Sequence, residues 1–189
     1  MKVGCVVMAA GLSSRFGDNK LLQEVAGKPV FQYALEAIPA EHFQSIVIVT
    51  NSPLFSDTIK QFHFTEIRNE YPELGVSHTI SLGLSALKDC DGVLFCVADQ
   101  PLLKRTTVSN LITFWQQNPS SIAALSCNGV RGNPCLFPAV FFPELLALEG
   151  DRGGSAVIRR HENSLRLLEA DPQELLDIDT PQALHQLLC

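Results

Sequence analysis

The feature that most constrains this chain is an apolar run, Val3 to Met8, that breaks off at Ala9-Ala10-Gly11. A short continuous apolar run bounded by a glycine turn reads as a strand buried on both faces. Ser13, Ser14, Arg15 and Lys20 follow, with little bulk near the turn. Ala9, Ala10 and Gly11 let a ligand lie close to the backbone. The amides of a Gly/Ser-rich turn can converge on an anion, and Arg15 and Lys20 add positive charge. Such a loop suits phosphates, foremost those of a nucleoside triphosphate. The alternative is an ordinary strand-to-helix loop with incidental polar residues.

Two familiar phosphate loops do not fit. A Walker A loop needs four residues between its glycines, then Gly-Lys-Ser/Thr. Here five residues separate Gly11 from Gly17, and Leu21 follows Lys20. A dinucleotide fingerprint needs Gly-x-Gly-x-x-Gly and an acid about 20 residues on. The next strand candidate, Ile46 to Val49, ends in Thr50-Asn51.

Strand-like and helix-like stretches alternate along the chain, which predicts an α/β fold with a largely parallel sheet. Strands are expected at Ile46 to Val49, Thr65 to Arg68, Val93 to Ala98, Ile122 to Leu125 and Leu165 to Leu168. Gly27-Lys28-Pro29 is expected to open a helix, because Pro suits a first helical turn. Further helices are expected from Val76 to Leu87, Val108 to Trp115 and Phe141 to Leu148, near Ala156, and in a closing stretch to Leu188. Asn128-Gly129 predicts a hairpin within Ser126 to Phe137. Nothing in 189 residues suggests a repeat or a second domain.

Asp99 stands where α/β enzymes place ligands. Asp99-Gln100-Pro101 closes the apolar run of the central strand, and Asp177-Ile178-Asp179-Thr180-Pro181 precedes the closing stretch. Ligands bind outside the carboxyl ends of parallel strands. Each acid is also a good helix cap.

The pattern Ala-Ala-Gly-x-Ser-x-Arg-x-Gly-x-x-Lys over residues 9 to 20 resembles the signature of nucleotidyltransferases that load sugars, alcohols and cofactors with a nucleotide. Within that superfamily the chain is most similar to the molybdenum cofactor cytidylyltransferases. The resemblance spans nearly the whole chain. It implies a three-layer Rossmann-like domain over 1–189, mostly parallel, with one antiparallel strand and helices on both faces. It implies that Ala9, Ala10, Gly11, Ser13, Ser14, Arg15 and Lys20 bind the nucleotide. It also implies that Gly75, Ser77 and Thr79 lie near base and ribose, although Ser81 stands where many relatives carry Arg. Asp99 and Asp179, with Asp177, would hold Mg2+. Gln100, Pro101, Gly132, Asn133, Pro134, Gly153 and Gly154 would border the acceptor. The local alternatives are a Ser/Thr-rich helix cap at 77–79, a plain turn at Gly132-Asn133-Pro134 and a solvent turn at Gly153-Gly154.

The implied reaction is attack of an acceptor oxygen on the α-phosphorus, with pyrophosphate leaving. A phosphate monoester acceptor is largely dianionic at neutral pH, so no strong base is needed. Arg15, Lys20 and Asp99 would carry the chemistry, cations and metal meeting the charge build-up. In the resembling family Ala-Ala-Gly goes with cytosine more often than Ala-Gly-Gly, so CTP is the expected donor, with GTP or another triphosphate as alternative. The implied acceptor is molybdopterin or its molybdenum-loaded form, and the product would pass to a molybdenum hydroxylase. Rival readings are transfer to another phosphorylated acceptor, a non-catalytic cofactor chaperone, and a reductase, which the missing dinucleotide fingerprint argues against.

A net charge of −6 argues against a sequence-blind nucleic-acid partner. No apolar run is long enough for a membrane span, so a cytoplasmic protein is expected. Six cysteines include no Cys-x-x-Cys and no zinc spacing. Cys5 and Cys96, inside apolar strands, are expected to act as small hydrophobes.

Overall fold

The first strand, β1 (Val3–Ala9), has no solvent face. Val3, Cys5, Val7 and Ala9 enter one apolar cluster, while Val6 enters another on the opposite side of the sheet. That two-sided burial is why the run is continuously apolar rather than alternating. The computed structural model describes residues 1–11 and 19–178.

Around β1 lie β4 (Ser45–Thr50), β5 (Thr65–Arg68), β6 (Gly92–Val97), β7 (Ile122–Cys127), β8 (Val130–Pro138) and β9 (Leu165–Glu169). The sheet order is β5-β4-β1-β6-β8-β7-β9. Only β8 among these seven runs antiparallel to its neighbours β6 and β7. The remaining pairs, β1 with β4 and β6, β4 with β5, and β7 with β9, are parallel. This is the mostly parallel α/β sheet with one antiparallel strand that the resemblance implies.

Helices cover both faces. Residues of α1 (Val30–Glu36), α2 (Ser56–Gln61) and α4 (Arg105–Gln116) join the cluster containing Val3 and Val7. Residues of α3 (Val76–Ser85), α5 (Phe142–Leu146) and α6 (Gly154–Arg160) join the one containing Val6. No helix among the described residues is long and apolar enough to cross a membrane.

The expected helix start at Gly27-Lys28-Pro29 is corrected. Ala26 and Gly27 take φ of +50° and +78°, a tight reversal that pairs β2 (Glu24–Val25) with β3 (Lys28–Pro29). Pro29 is extended, with ψ of 141°, and α1 begins at Val30. The phenol of Tyr33 on α1 donates to the Val25 carbonyl at 2.8 Å and ties this small ribbon to the helix. α3 is also shorter than expected, ending at Ser85. The expected closing helix lies outside the described residues.

The hairpin at Asn128-Gly129 forms as its dipeptide predicts, with φ of +50° and +74°. Glu169 on β9 stitches it. Its carboxylate accepts from Ser126 Oγ at 2.8 Å and from the amides of Asn128 and Gly129 at 2.9 Å each. The Gly129 amide first, then Ser126, hold the Glu169 pKa below its ordinary value. A lowered folded-state pKa stabilises above the unfolded pKa, about 4.3, and loses that effect as pH falls through the lowered value. The Asn128 and Gly129 amide resonances are therefore expected to titrate below about pH 4.3 and to stop doing so in Glu169→Gln. An unchanged titration in that variant would reject the assignment.

Candidate active site

β1 is the point where the sheet order turns. The chain builds outward through β4 and β5, then returns to β6 on the other side of β1. A crevice at the carboxyl ends of the strands at such a switch point is the ligand site of open α/β sheets. Here it is a cavity of about 390 Å³.

Ala9, Ala10 and Gly11 leave β1 into this cavity, and Lys20, Gly75, Thr79 and Asp99 also line it. Each arrives by a different route. Asp99 is carried by the end of β6. Lys20 opens a single 3-10 turn, Lys20–Leu22, in which the Asn19 side chain caps the Leu21 amide at 3.2 Å and Leu21 is buried. Thr79 belongs to α3, and its Oγ1 accepts from Asn69 Nδ2 at 3.1 Å. A hydroxyl that accepts in this way keeps its own proton to donate.

Lys20 Nζ and Asp99 Oδ2 meet at 2.5 Å although 79 positions separate them. Their side chains are 17% and 16% exposed. The other carboxylate oxygen, Asp99 Oδ1, is buried without a hydrogen-bond partner. A desolvated anionic oxygen with no donor is costly, and a hard divalent cation satisfies it. Mg2+ accepts one or two carboxylates alongside substrate phosphates, so Asp99 fits such an ion. Among the described residues no group of three or more His, Cys, Asp or Glu could form a self-sufficient metal site.

Gly75 explains why this loop needs glycine. Its φ of +87° and ψ of −176° are a conformation that essentially only glycine adopts. A Cβ there would stand 2.4 Å from the backbone carbon and oxygen of Gly150. Gly75→Ala is expected to lose about 3 kcal/mol of stability, read by chemical denaturation. A loss below about 1 kcal/mol would show that the Gly150 turn yields freely.

Other residues named from sequence lie elsewhere. Ser77 is buried and outside the walls of this cavity; its amide donates to the Gly150 carbonyl at 3.1 Å. Ser13, Ser14, Arg15 and Asp179 lie outside the described residues. Ile178 donates its amide to the Asp99 carbonyl at 2.9 Å.

A second cavity of about 190 Å³ shares Met8, Val76 and Val97 with the first. Asn133, Gly153 and Gly154 line it, beside Phe95 and Phe137, whose rings meet edge-on at 5.9 Å. Gly154 also has a packing reason: a Cβ there would lie 2.8 Å from the Phe137 ring. A third cavity, about 340 Å³, is lined by Gln100, Gly132, Asn133 and Asp177 among others. Asp177 is thus drawn to the third cavity and does not line the one containing Asp99. Gln100, 2% exposed, donates Nε2 to Asp177 Oδ1 at 2.8 Å and to the Leu175 carbonyl at 3.3 Å. Pro101 and Pro134 are buried outside these walls, Pro134 after a cis peptide with Asn133.

Sequence reasoning missed Asn51, Asp151, Arg131 and Ser155. Asn51 Nδ2 lies 3.3 Å from the carbonyls of Ala10 and of Gly11, and so fixes the loop from the end of β4. Its position at a strand end was the available signal. Asp151 lines the first cavity, and Arg131 and Ser155 line the other two. Arg131 adjoins the Gly132-Asn133-Pro134 turn, and Asp151 and Ser155 flank Gly153-Gly154, so proximity to those turns was the available signal. Cys5, Cys90, Cys96 and Cys135 are buried and free. Burial pushes the Cys5 and Cys135 thiols upward, which suits inert core residues.

Residues 5–165 match the MobA-like NTP transferase domain. The chain belongs to this family. The Bacillus subtilis purine catabolism protein PucB is 27% identical over 190 residues, covering 94% of this chain and 91% of its own. Among solved structures, Rv0371c of Mycobacterium tuberculosis superposes with a TM-score of 0.82 at 21% identity, over 100% of this chain and 98% of that one. A manganese complex of Rv0371c gives 0.80 at 20%, over 100% and 98%. CMP:2-keto-3-deoxy-manno-octonic acid synthetase, solved with CTP, gives 0.78 at 14%, over 98% and 96%. These structural likenesses establish the fold. Family membership supports a nucleotidyltransferase activity for the chain.

Proposed function

We propose that the protein transfers CMP from CTP to molybdopterin, or to its molybdenum-loaded form, with release of pyrophosphate. The observation that carries this reading is the meeting of Lys20 and Asp99 over the Ala9–Gly11 turn, with Asp99 Oδ1 buried and unpartnered. A lysine and a carboxylate brought together at a nucleotide-sized crevice suit a donor that comes with a cation. The solved synthetase with CTP and the manganese complex of Rv0371c support a cytidine triphosphate and a divalent ion as ligands of a protein with this fold.

In this reading Asp99 and Asp179 would hold Mg2+, Asp177 being engaged by Gln100 at the third cavity, and the ion would supply Lewis-acid neutralisation of the phosphates. The amides around Ala10 and Gly11 orient the triphosphate for in-line attack. Lys20, on a flexible four-carbon stem, exchanges Asp99 Oδ2 for phosphate oxygens and draws charge from the leaving pyrophosphate, aided by Arg15. Thr79 and the Gly75 backbone border the nucleoside. The acceptor phosphate is itself the nucleophile, already ionised, so no side chain has to remove a proton. The domain, 1–189, works in the cytoplasm and hands its product to a molybdenum hydroxylase. The name of the Bacillus subtilis relative, a purine catabolism protein, is compatible with a client that oxidises purines.

The test is pyrophosphate release from CTP, GTP and ATP with Mg2+, with and without molybdopterin. Release from CTP that requires molybdopterin is expected. Release with another triphosphate corrects the base, and CTP binding without release under any pairing rejects the acceptor.

A further inference from the structure

Among the described residues no carboxylate forms an ion pair with Arg131. Elsewhere in the chain Arg105 pairs with Glu41, Arg160 with Glu144 and Arg68 with Glu66. Arg131 instead donates Nη2 to Ser155 Oγ at 2.8 Å and Nη1 to Cys135 Sγ at 3.6 Å. Both partners are neutral, the buried Cys135 thiol being held protonated. Arg131, Asn133 and Ser155 together form the wall common to the second and third cavities. Asp177, the acid on the walls of the third, already accepts from Gln100.

A guanidinium on a cavity wall, with no ion-pair partner among the described residues, is suited to receive an anion. The Ser155 bond holds the guanidinium fork in one orientation, and a hydroxyl and an amide stand beside it as further donors. A guanidinium fork matches carboxylate or phosphate oxygens through paired hydrogen bonds. Nucleotidyl transfer to a phosphorylated acceptor needs the second of these. The remaining walls of the second cavity, Phe95, Phe137, Ile80, Leu145, Val76 and Val97, are apolar and suit a flat or hydrophobic body. We propose that Arg131, with Ser155 and Asn133, receives a phosphate monoester on the acceptor and thereby restricts the enzyme to acceptors that carry one. This deepens the transferase reading above and rests on it.

Two measurements separate this inference from that reading. In steady-state pyrophosphate release with CTP and Mg2+, Arg131→Ala is expected to raise the KM for molybdopterin about tenfold to a hundredfold, the range for a lost charged hydrogen bond. The KM for CTP should stay within about twofold, a change too small to signal a lost contact, and Arg131→Lys should recover part of the loss. An unchanged acceptor KM, or a parallel rise for CTP, overturns the proposal while leaving the transferase reading intact. Should molybdopterin not be turned over at all, that reading fails, and the second measurement still decides the role of Arg131. Inorganic phosphate is titrated calorimetrically into protein saturated with CTP, Ca2+ replacing Mg2+ to suppress reaction. Binding in the wild type that is lost in Arg131→Ala supports the site. No binding in the wild type, or equal binding in both, overturns it.

Discussion

Asp99→Asn is expected to lower pyrophosphate release by about a thousandfold or more while leaving the fold in place. The substitution keeps one oxygen for Lys20 and removes the negative charge. Lys20 pairs with Oδ2 only, and Oδ1 is desolvated without a partner. A buried carboxylate left half-satisfied costs stability, and a cation in the working enzyme would offset the cost. The lost ion pair and the relieved desolvation oppose each other, so the stability change should stay within about 1 kcal/mol. Two readouts are needed. Turnover is measured over a wide range of Mg2+, and stability by denaturant titration. Full activity at high Mg2+ would remove Asp99 from the metal site. A collapse in stability alongside activity would make it a structural residue.

Lys20→Met is expected to cost about a hundredfold to a thousandfold in kcat, as removal of a donor at a developing anion does. Methionine keeps the apolar stem and removes the ammonium. The loss should fall on kcat more than on the KM for CTP, because negative charge grows on the bridging oxygen and pyrophosphate as the bond breaks. A pure KM effect would mean that Lys20 binds the ground state and transition state equally. Asp99 would then lose its 2.5 Å partner, and its unpaired charge would lower stability in the metal-free protein. Added Mg2+ should restore part of that stability if Asp99 binds the ion. No protection by Mg2+ would contradict the proposed coupling between the two side chains.

The elements that could be read from sequence are those whose identity depends on local physics. β1 and β6 are continuous apolar runs because both of their faces are covered. The Asn128-Gly129 hairpin follows from residues that tolerate positive φ. The helix face of α1 follows from Phe31, Ala34 and Leu35 at helical spacing. The first turn of α1 departs from expectation because Pro29 satisfies two rules at once. It suits a helix start, and it suits an extended residue after a tight turn. The second won because Ala26 and Gly27 reverse the chain and Tyr33 anchors the result.

The site divides the same way. Small residues after a buried strand and an acid at a strand end are visible in the chain itself, since their meaning comes from their immediate neighbours. The sequence by itself thus determined the α/β class, the candidate phosphate loop and the candidate acid, Asp99. Tertiary structure alone decided that Lys20 meets Asp99, that Asn51 ties down the Ala10 and Gly11 carbonyls, and that Asp177 turns toward Gln100. It alone brought Arg131 to a cavity wall opposite apolar rings. These pairings join residues tens of positions apart, and only the order in which β1, β4, β6 and β8 stack in the sheet brings them within a hydrogen bond of one another.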